Sequence, residues 1–398
     1  MSLDILYISH CVPWPPDKGD RIRAYHSVRE LMKHHRVHLT CLARSEAEAS
    51  ATSDLRGRCA SLNIHVLDRN RAIARGLVGF AAGGCFTTSF YGVPQLRAHI
   101  SSLVKTNPIA ATVVLSSAMA PYAPDGIPFL ADWGDVDSEK WLQYAKMRPL
   151  GFLQRIEAGR VRKIERDYAM RSRRTFLTTP SELELFGRIA PGAPMGCSGN
   201  GVDMQTFDPA GSFVVPEDLS RRKFIAFVGV LNYFPNSDGV CWFGENIFPE
   251  LRKRDPELEL FLVGRNPAPK VMQLKEREGV TVTGEVDDVR PYLAAARAAI
   301  APLRIARGIQ NKVLEALAMG KQVLASEEVC RTFSPEIPKG VLCCTSAEDY
   351  LRAIGQLPPT SAADNAIAEA TRLRFGWETN LAPIVAELDG IARMTAPL

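Results

Sequence analysis

Short apolar segments that suit β-strands alternate along the chain with longer segments of helical periodicity. The first cycle is a strand at residues 3–9, a Pro-rich loop, a helix that begins near Asp20 and a strand at residues 37–42. Repeated strand–helix alternation predicts a parallel sheet with helices on both faces. The fold class predicted for the chain is therefore α/β.

The alternation is interrupted at residues 190–196, where Pro and Gly dominate, and it restarts near Phe224. This composition is typical of a hinge or linker, and a chain of 398 residues suits two domains. We predict two doubly wound, Rossmann-like domains that face each other, at residues 1–190 and 200–372. One long helical stretch is expected at residues 139–174 of the first domain.

The charge of the chain is small overall but uneven. A formal net charge of +4 does not indicate a nucleic-acid-binding protein. Residues 155–174, however, contain eight Lys or Arg against three Asp or Glu. This stretch is either a solvated helix face or a surface that meets anionic phospholipid or a phosphorylated acceptor.

The nine cysteines are scattered without a C-x-x-C pair, so we expect free thiols in a reducing cytosol. No signal peptide or run of about 18 apolar residues occurs, and we therefore expect a cytoplasmic protein without a membrane span. A short, Gly-rich apolar stretch at residues 76–86 could contact a membrane surface or line a core.

The strongest functional signal is at residues 302–320, where a strand leads through a polar loop into a helix. The N-terminus of a helix favours phosphate, because its N–H groups are unpaired and carry partial positive charge. Arg304, Arg307 and Lys312 add cations there. Glu315 lies on nearly the same helix face as Lys312 and could accept bonds from both ribose hydroxyls. A charged helix start with a Lys312–Glu315 surface pair is the structural alternative.

Two further glycine turns follow predicted strands, at Gly229 and Gly264. Open α/β sheets bind ligands beyond the carboxyl ends of their strands. Each turn alone is a weak signal, but three such loops in one domain indicate a ligand site. A dinucleotide dehydrogenase is not indicated, since no G-x-G-x-x-G follows the first strand.

The chain resembles the retaining glycosyltransferases of family 4, which have the GT-B fold of two Rossmann-like domains. The segments that carry the resemblance are residues 200–203 with Phe207, 227–229, 235–238, 263–265, 284–288 and 312–320. Residues 13–21 and 135–141 look like the subgroup tied to exosortase (PEP-CTERM) exopolysaccharide loci. The fold implied is GT-B, with a last helix, about 377–398, that returns to the first domain.

The resemblance implies a role for each matching position. Those implied to bind the donor are Gly229, Gly264, Arg265, Gly308, Ile309, Gln310, Asn311, Lys312, Val313 and Glu315. Those implied to approach the donor phosphate or the acceptor are Gly19, Asp20 and Arg21. Those implied to act in catalysis are Asp135, Lys312 and Arg304. No metal or other cofactor is expected, since cations already neutralise the leaving diphosphate.

Two departures from the family pattern bear on function. The family often places a second Glu eight positions before Glu315, and Arg307 stands there. Residues 132–137 lack the His that many relatives have, and Asp135 is the candidate for its place. Asp135 and Asp137 also form a D-x-D, which metal-dependent transferases of another fold use; acids at a helix start are the alternative explanation.

The predicted function is hexosyl-type transfer, with retention, from a nucleotide-diphosphate sugar to a saccharide acceptor. The resemblance suggests a polyprenyl-linked acceptor in exopolysaccharide biosynthesis and a peripheral contact with the inner face of the cytoplasmic membrane. Two alternatives remain open. A nucleotide-sugar 2-epimerase has the same fold, and the missing Glu allows a non-catalytic nucleotide-sugar-binding subunit.

Overall fold

The computed structural model describes residues 2–16, 19–50, 55–147, 151–306, 308–358 and 362–395. The chain divides into two compact units. The first domain runs to Gly199 and includes the chain from Asn380 onward, and the second domain is Asn200–Thr379. The return to the first domain therefore falls inside the last helix, between Thr379 and Asn380.

The first domain is built on a seven-stranded parallel sheet with the order β3-β2-β1-β4-β5-β6-β7. Its strands are Asp4–Ser9 (β1), Arg36–Ala43 (β2), Ser61–Val66 (β3), Ile109–Leu115 (β4), Phe129–Gly134 (β5), Arg174–Leu177 (β6) and Met195–Cys197 (β7). The central β1 is almost wholly buried, as its continuous apolar sequence requires.

Helices connect these strands on both faces of the sheet. They are Gly19–Leu31 (α1), Glu46–Ser50 (α2), Arg69–Ala81 (α3), Phe86–Phe90 (α4), Pro94–Thr106 (α5), Asp137–Met147 (α6), Gly151–Arg171 (α7) and Pro180–Ile189 (α8), with a 3₁₀ helix at Ser117–Tyr122. The prediction of one helix over residues 139–174 is wrong, because α6 and α7 are separate. Pro149 lies in the sequence between them, and the residue before a proline disfavours helical backbone.

The predicted linker at residues 190–196 also needs correction. Met195–Cys197 form β7, which pairs in parallel with β6 at the edge of the sheet. A three-residue strand with Gly196 at its centre has too short a pattern to distinguish from a loop. The domain boundary lies a few residues later, after Gly199.

The second domain contains a six-stranded parallel sheet with the order β10-β9-β8-β11-β12-β13. Its strands are Phe224–Val228 (β8), Glu259–Val263 (β9), Val280–Gly284 (β10), Ala298–Ala301 (β11), Val323–Ser326 (β12) and Val341–Cys344 (β13). Its helices are Glu217–Ser220 (α9), Phe234–Asn246 (α10), Phe248–Arg254 (α11), Pro269–Gln273 (α12), Arg290–Ala295 (α13), Asn311–Ala318 (α14), Glu327–Arg331 (α15), Ala347–Gly355 (α16) and Asn365–Phe375 (α17), with a 3₁₀ helix at Leu274–Glu276.

The last helix, Trp377–Thr395 (α18), begins in the second domain and continues in the first. Within the first domain, Glu387 on this helix pairs with Arg173 and Arg174 at 3.1 and 2.9 Å. The carbonyl of Asn380 accepts a hydrogen bond from Ser198 Oγ at 2.9 Å. These contacts attach the helix to the start of β6 and the segment after β7.

The expectation of free thiols throughout is wrong for two cysteines. Cys330 and Cys343 form a disulfide, with Cα atoms 6.1 Å apart. Cys343 lies opposite Ala325 in the β12–β13 register, and Cys330 follows on α15 directly after β12. The fold brings the two cysteines together near the ends of neighbouring strands. Their separation of 13 residues in the sequence does not predict this. None of the described helices is long and apolar enough to cross a membrane.

Candidate active site

Three glycine turns meet at the carboxyl ends of neighbouring strands in the second domain. The Gly229 N–H donates to the Val263 carbonyl at 3.0 Å, and the Gly264 N–H donates to the Gly284 carbonyl at 3.1 Å. Gly264 has φ +148°, and a Cβ there would lie 1.8 Å from the Gly229 carbonyl oxygen. Only glycine allows this approach, so the turns after β8, β9 and β10 form one continuous backbone surface.

The helix α14 begins at the same edge of the sheet, after β11. Gly308 has φ +60°, and Gln310 is the N-cap with φ −84° and ψ 113°. No described side chain caps the helix. The Val313 N–H donates to the Gln310 carbonyl at 2.9 Å, while the N–H groups of Asn311 and Lys312 have no partner among the described residues and are available to a ligand. Asn200 Nδ2 donates to the Ile309 carbonyl at 3.4 Å and ties this loop to the start of the domain. The helix that the sequence predicted to bind an anion thus begins at this edge of the sheet, with the geometry such a site needs.

The Lys312 side chain folds back across the turn after β8. Its Cε lies 3.2 Å from where a Gly229 Cβ would stand, so a side chain at Gly229 would displace the lysine. Its Nζ is 5.7 Å from the centre of the Phe227 ring and 3.2 Å from Gln310 Oε1. Burial lowers the pKa of Lys312 to about 8, although Glu315 opposes the shift. The sequence correctly placed Gly229 and Lys312 near each other.

Glu315 lies one turn further along α14, and its side chain is half-buried. Burial raises the pKa of this carboxyl to about 7, against the attraction of Lys312. Its carboxylate has no hydrogen-bond or ion-pair partner among the residues that the structure describes. The Glu315 oxygens are not among the fully buried atoms without a partner, so they are open to a ligand or to water. The surface-pair alternative for Lys312 and Glu315 is therefore disfavoured.

The other predicted cations are placed differently. Arg304 forms a bidentate pair with Asp238 of α10, at 2.9 and 3.0 Å, so its charge is already partnered. Arg265 is half-buried in the turn after β9, and its carbonyl accepts the Leu231 N–H at 3.0 Å. Arg307 lies outside the described residues. Among the described residues of the predicted set, Lys312 is thus the cation on the first turn of α14.

Asn236 belongs to the same surface but is absent from the predicted site residues. It is 4% exposed, and its Nδ2 donates to the Val230 carbonyl at 2.9 Å. Its Oδ1 has no partner among the described residues. The Nδ2 also lies 3.1 Å from the Cβ position of Gly229. The segment 235–238 carried part of the family resemblance, and that was the available signal.

In the first domain, the predicted phosphate loop leads into α1. Asp20 lies 3.5 Å from His10 Nε2 and 3.6 Å from Arg44. The pKa of Asp20 is lowered: burial opposes ionisation, but the hydrogen bond and charge of His10 and the charge of Arg44 outweigh it. Arg21 is buried and pairs with Glu48. Gly19 is exposed at the start of the helix, and residues 17 and 18 of the predicted loop lie outside the described residues.

One group of possible metal ligands occurs among the described residues. His10, Cys11 and Asp20 offer ligand atoms within 4.8 Å of one another. Burial raises the pKa of Cys11 to about 12, so the thiol resists deprotonation. Arg44 already places a positive charge on Asp20. Without a metal, the thiol is therefore protonated, and Asp20 already has positively charged or hydrogen-bonding partners in His10 and Arg44.

The D-x-D residues have separate protein partners. Asp135 Oδ1 accepts the Thr178 hydroxyl at 3.0 Å, just after Gly134 ends β5 with φ +73°. Asp137 accepts Ser117 Oγ at 2.6 Å and lies 3.2 Å from Lys140 Nζ. Asp137 also starts α6, as the helix-start explanation expects. The structure therefore favours a structural role for Asp137. The Oδ2 atom of Asp135 has no hydrogen-bond partner among the described residues.

The first domain contains a buried ion pair that was not predicted from the sequence. Arg23 of α1 binds Asp132 of β5 in a bidentate manner, with Nε 2.9 Å from Oδ1, and also donates to the Gly199 carbonyl at 3.0 Å. Arg23 is 4% exposed and Asp132 is fully buried. The two residues are 109 positions apart, and no local pattern pairs them.

The second domain matches a known family over residues 222–358, under the description "Glycosyl transferases group 1". No curated protein matches the chain. Similar solved structures include sucrose-phosphate synthase from Thermosynechococcus elongatus, with TM-score 0.68, 14% identity, and coverage of 99% of this chain and 100% of that one.

Anabaena HepE in complex with UDP-glucose gives TM-score 0.65 at 12% identity, with 98% and 100% coverage. The α,α-trehalose 6-phosphate synthase of Burkholderia multivorans gives 0.63 at 12%, with full coverage of both chains. These likenesses span both sheets and establish the fold. The chain therefore has the GT-B fold, carries a group 1 glycosyl transferase domain, and is a glycosyltransferase.

Proposed function

We propose that the protein transfers a hexose, with retention, from a nucleotide-diphosphate sugar to a saccharide acceptor. The observation that carries the proposal is the half-buried Lys312 and the unpartnered Glu315 on one uncapped helix beside Gly229. The α14 start and Lys312 would bind the diphosphate, and Glu315 would accept bonds from the ribose hydroxyls. HepE was solved with UDP-glucose, which makes it the first donor to test.

In the proposed reaction, the bond between the anomeric carbon and the diphosphate oxygen breaks. The acceptor hydroxyl oxygen bonds to that carbon on the same face, and its proton passes to the leaving diphosphate. Lys312 and the α14 N–H groups stabilise the negative charge that grows on the diphosphate. Such fixed donors need no metal ion at the diphosphate, so we propose metal-independent transfer.

The first domain would bind the acceptor at the carboxyl edge of its sheet, where Gly19 and Asp135 lie. By resemblance of residues 13–21 and 135–141, we place the protein in the exosortase-associated subgroup of family 4. The acceptor would then be a polyprenyl-linked saccharide of exopolysaccharide biosynthesis. The protein would work in the cytoplasm, at the inner face of the cytoplasmic membrane.

The test is product formation from UDP-, GDP-, ADP- and dTDP-glucose with a polyprenyl-diphosphate-linked saccharide, in EDTA. We expect one nucleotide to support transfer, with an α-linked product by NMR from the α-configured donor. Lys312→Met and Glu315→Gln should abolish it. The matched controls are Lys253→Met and Glu250→Gln, an exposed pair 2.6 Å apart with i,i+3 spacing on α11.

Other outcomes would contradict the proposal. A β-linked product would exclude retention. A 2-epimer of the donor formed without acceptor would identify an epimerase. Donor binding without product on any saccharide acceptor would indicate a non-catalytic binding subunit.

A further inference from the structure

The helix α7 exposes large apolar side chains at the centre of its solvent face. Its buried face contains Ala158, Val161 and Ala169. At 3.6 residues per turn, the opposite direction is occupied by Phe152, Ile156 and Met170, which are 55%, 43% and 54% exposed. An ordinary surface helix places polar residues there. In α7, large apolar side chains therefore occupy the solvent-facing positions that are usually polar in a surface helix.

The end of α3, which contacts α7, also exposes large apolar side chains. Leu77 and Val78 are 59% and 68% exposed. Arg160 of α7 donates to the carbonyls of Phe80 and Gly84, both at 2.7 Å, and so joins the end of α3 to α7. The two helices therefore present their exposed apolar residues from one connected part of the first domain.

The charge around these residues is strongly positive. Arg155, Lys163 and Arg166 are exposed on α7. Two of its three acids, Glu157 and Glu165, are buried and used internally. Glu157 accepts the Phe86 and Thr87 N–H groups at 2.9 and 2.8 Å, and Glu165 accepts the Ser138 N–H at 3.1 Å. Several cations of the stretch have partners, because Arg162 pairs with Glu139, Arg166 with Asp167 and Arg171 with Asp125. Arg155 and Lys163 have no ion-pair partner among the described residues and supply the positive charge on the solvent side.

This part of the domain projects from the substrate edge of the first sheet. Ser138 follows the carboxyl end of β5 and contacts Glu165, so the part of α7 before Glu165 extends about 20 Å beyond that edge. The helix α3 starts from the same edge, directly after β3. Phe152 and Ile156, which precede Glu165, therefore lie beyond the sheet edge at which open α/β sheets bind ligands, whereas Met170 does not.

We propose that Leu77, Val78, Phe152, Ile156 and their neighbouring cations Arg155 and Lys163, here called the α3–α7 surface, bind an anionic phospholipid bilayer. Apolar side chains flanked by Lys and Arg enter the boundary between headgroups and acyl chains, while the cations contact lipid phosphates. A second copy of the chain fits less well, because a two-fold contact would bring these cations against one another.

The proposal deepens the proposed function and rests on it in one respect, namely that a lipid-linked acceptor would lie at such a bilayer. The test is co-sedimentation of the full chain with phosphatidylcholine vesicles, with and without phosphatidylglycerol. We expect binding only to the anionic vesicles. Phe152→Ser with Ile156→Ser, and separately Arg155→Glu with Lys163→Glu, should each weaken binding by roughly tenfold or more.

The matched controls are Leu373→Ser, at a 68% exposed position on α17, and Lys275→Glu. They should bind vesicles like the unaltered protein. Equal binding to neutral vesicles, or variants that bind as well as the controls, would overturn the proposal. So would an apolar variant that converts a dimer to a monomer in light scattering, since a second copy would then cover the surface.

Two measurements separate this proposal from the proposed function. The α3–α7 variants should keep the thermal shift given by UDP, which reports the donor site and correct folding. Glu315→Gln should keep vesicle binding. If the unaltered protein shows the UDP thermal shift but does not bind vesicles, the membrane proposal fails. If it binds vesicles but shows no UDP thermal shift, the proposed donor site fails.

Discussion

Replacing Gly264 by alanine tests how closely the donor surface is built from backbone. A residue with a side chain in this glycine-only conformation costs about 1–3 kcal/mol. The added Cβ would also stand 1.8 Å from the Gly229 carbonyl oxygen, and real Cβ contacts essentially never fall below 3.0 Å. One of the two turns must therefore shift by about 1 Å, and a misplacement of that size can lower activity by up to about 100-fold.

Gly284 is the matched control, because it also has positive φ but a Cβ there meets no atom within 4 Å. Gly284→Ala should lose about 1 kcal/mol of unfolding free energy, and Gly264→Ala about 3 kcal/mol or more. Calorimetric unfolding measures the stability, and titration with UDP measures the donor site. Equal melting temperatures for the two variants, or full UDP affinity in Gly264→Ala, would refute the packing of these turns.

Three further predictions follow from other parts of the structure. The pKa of Lys312 is lowered to about 8, so the protein should take up a proton when it binds UDP above that pH. The affinity for UDP should therefore fall as the pH rises through 8. An affinity that does not change with pH would exclude the lysine as the phosphate ligand. Asp132→Asn leaves Arg23 buried without its counter-ion and should lower the unfolding free energy by about 3–5 kcal/mol in urea, whereas a loss below about 1 kcal/mol would show that the pair is dispensable. Cys330→Ser opens a disulfide that closes a short loop with Cys343 and should cost about 2–4 kcal/mol; an unchanged melting temperature with and without reductant would show that the bond does not contribute.

Most strands of the second domain were predictable because they are short, mainly apolar runs bounded by a polar or glycine-containing turn, but β13 was not predicted. The strand Phe224–Val228 begins where the alternation was predicted to restart. The first domain was harder, because the segment between β3 and β4 is rich in Gly and small residues. The helices α3 and α4 pack through close contacts at Gly76 and Gly79, where any Cβ would strike Phe86 or Ser89. Such packing leaves little helical periodicity in the sequence.

In the donor site, contacts within one helix could be predicted from the sequence, and contacts between distant residues could not. Lys312 and Glu315 share one helix, so their proximity could be predicted from spacing. The pairing of Arg304 with Asp238 joins residues 66 positions apart, and local charge counting treated that arginine as free. Arg23 with Asp132 is the same case in the first domain. Sequence spacing predicts chemistry within one element, but it does not predict which cations the fold has already neutralised.

The most direct test of the donor site is a calorimetric titration of UDP into the full chain in EDTA. We predict binding without a divalent ion by the unaltered protein and by Lys253→Met. Lys312→Met should weaken binding by roughly tenfold or more, as expected for the loss of a charged hydrogen bond. Binding that requires magnesium, is unaffected by Lys312→Met and is lost in Asp135→Ala would contradict the account and move the diphosphate to the acidic residues of the first domain.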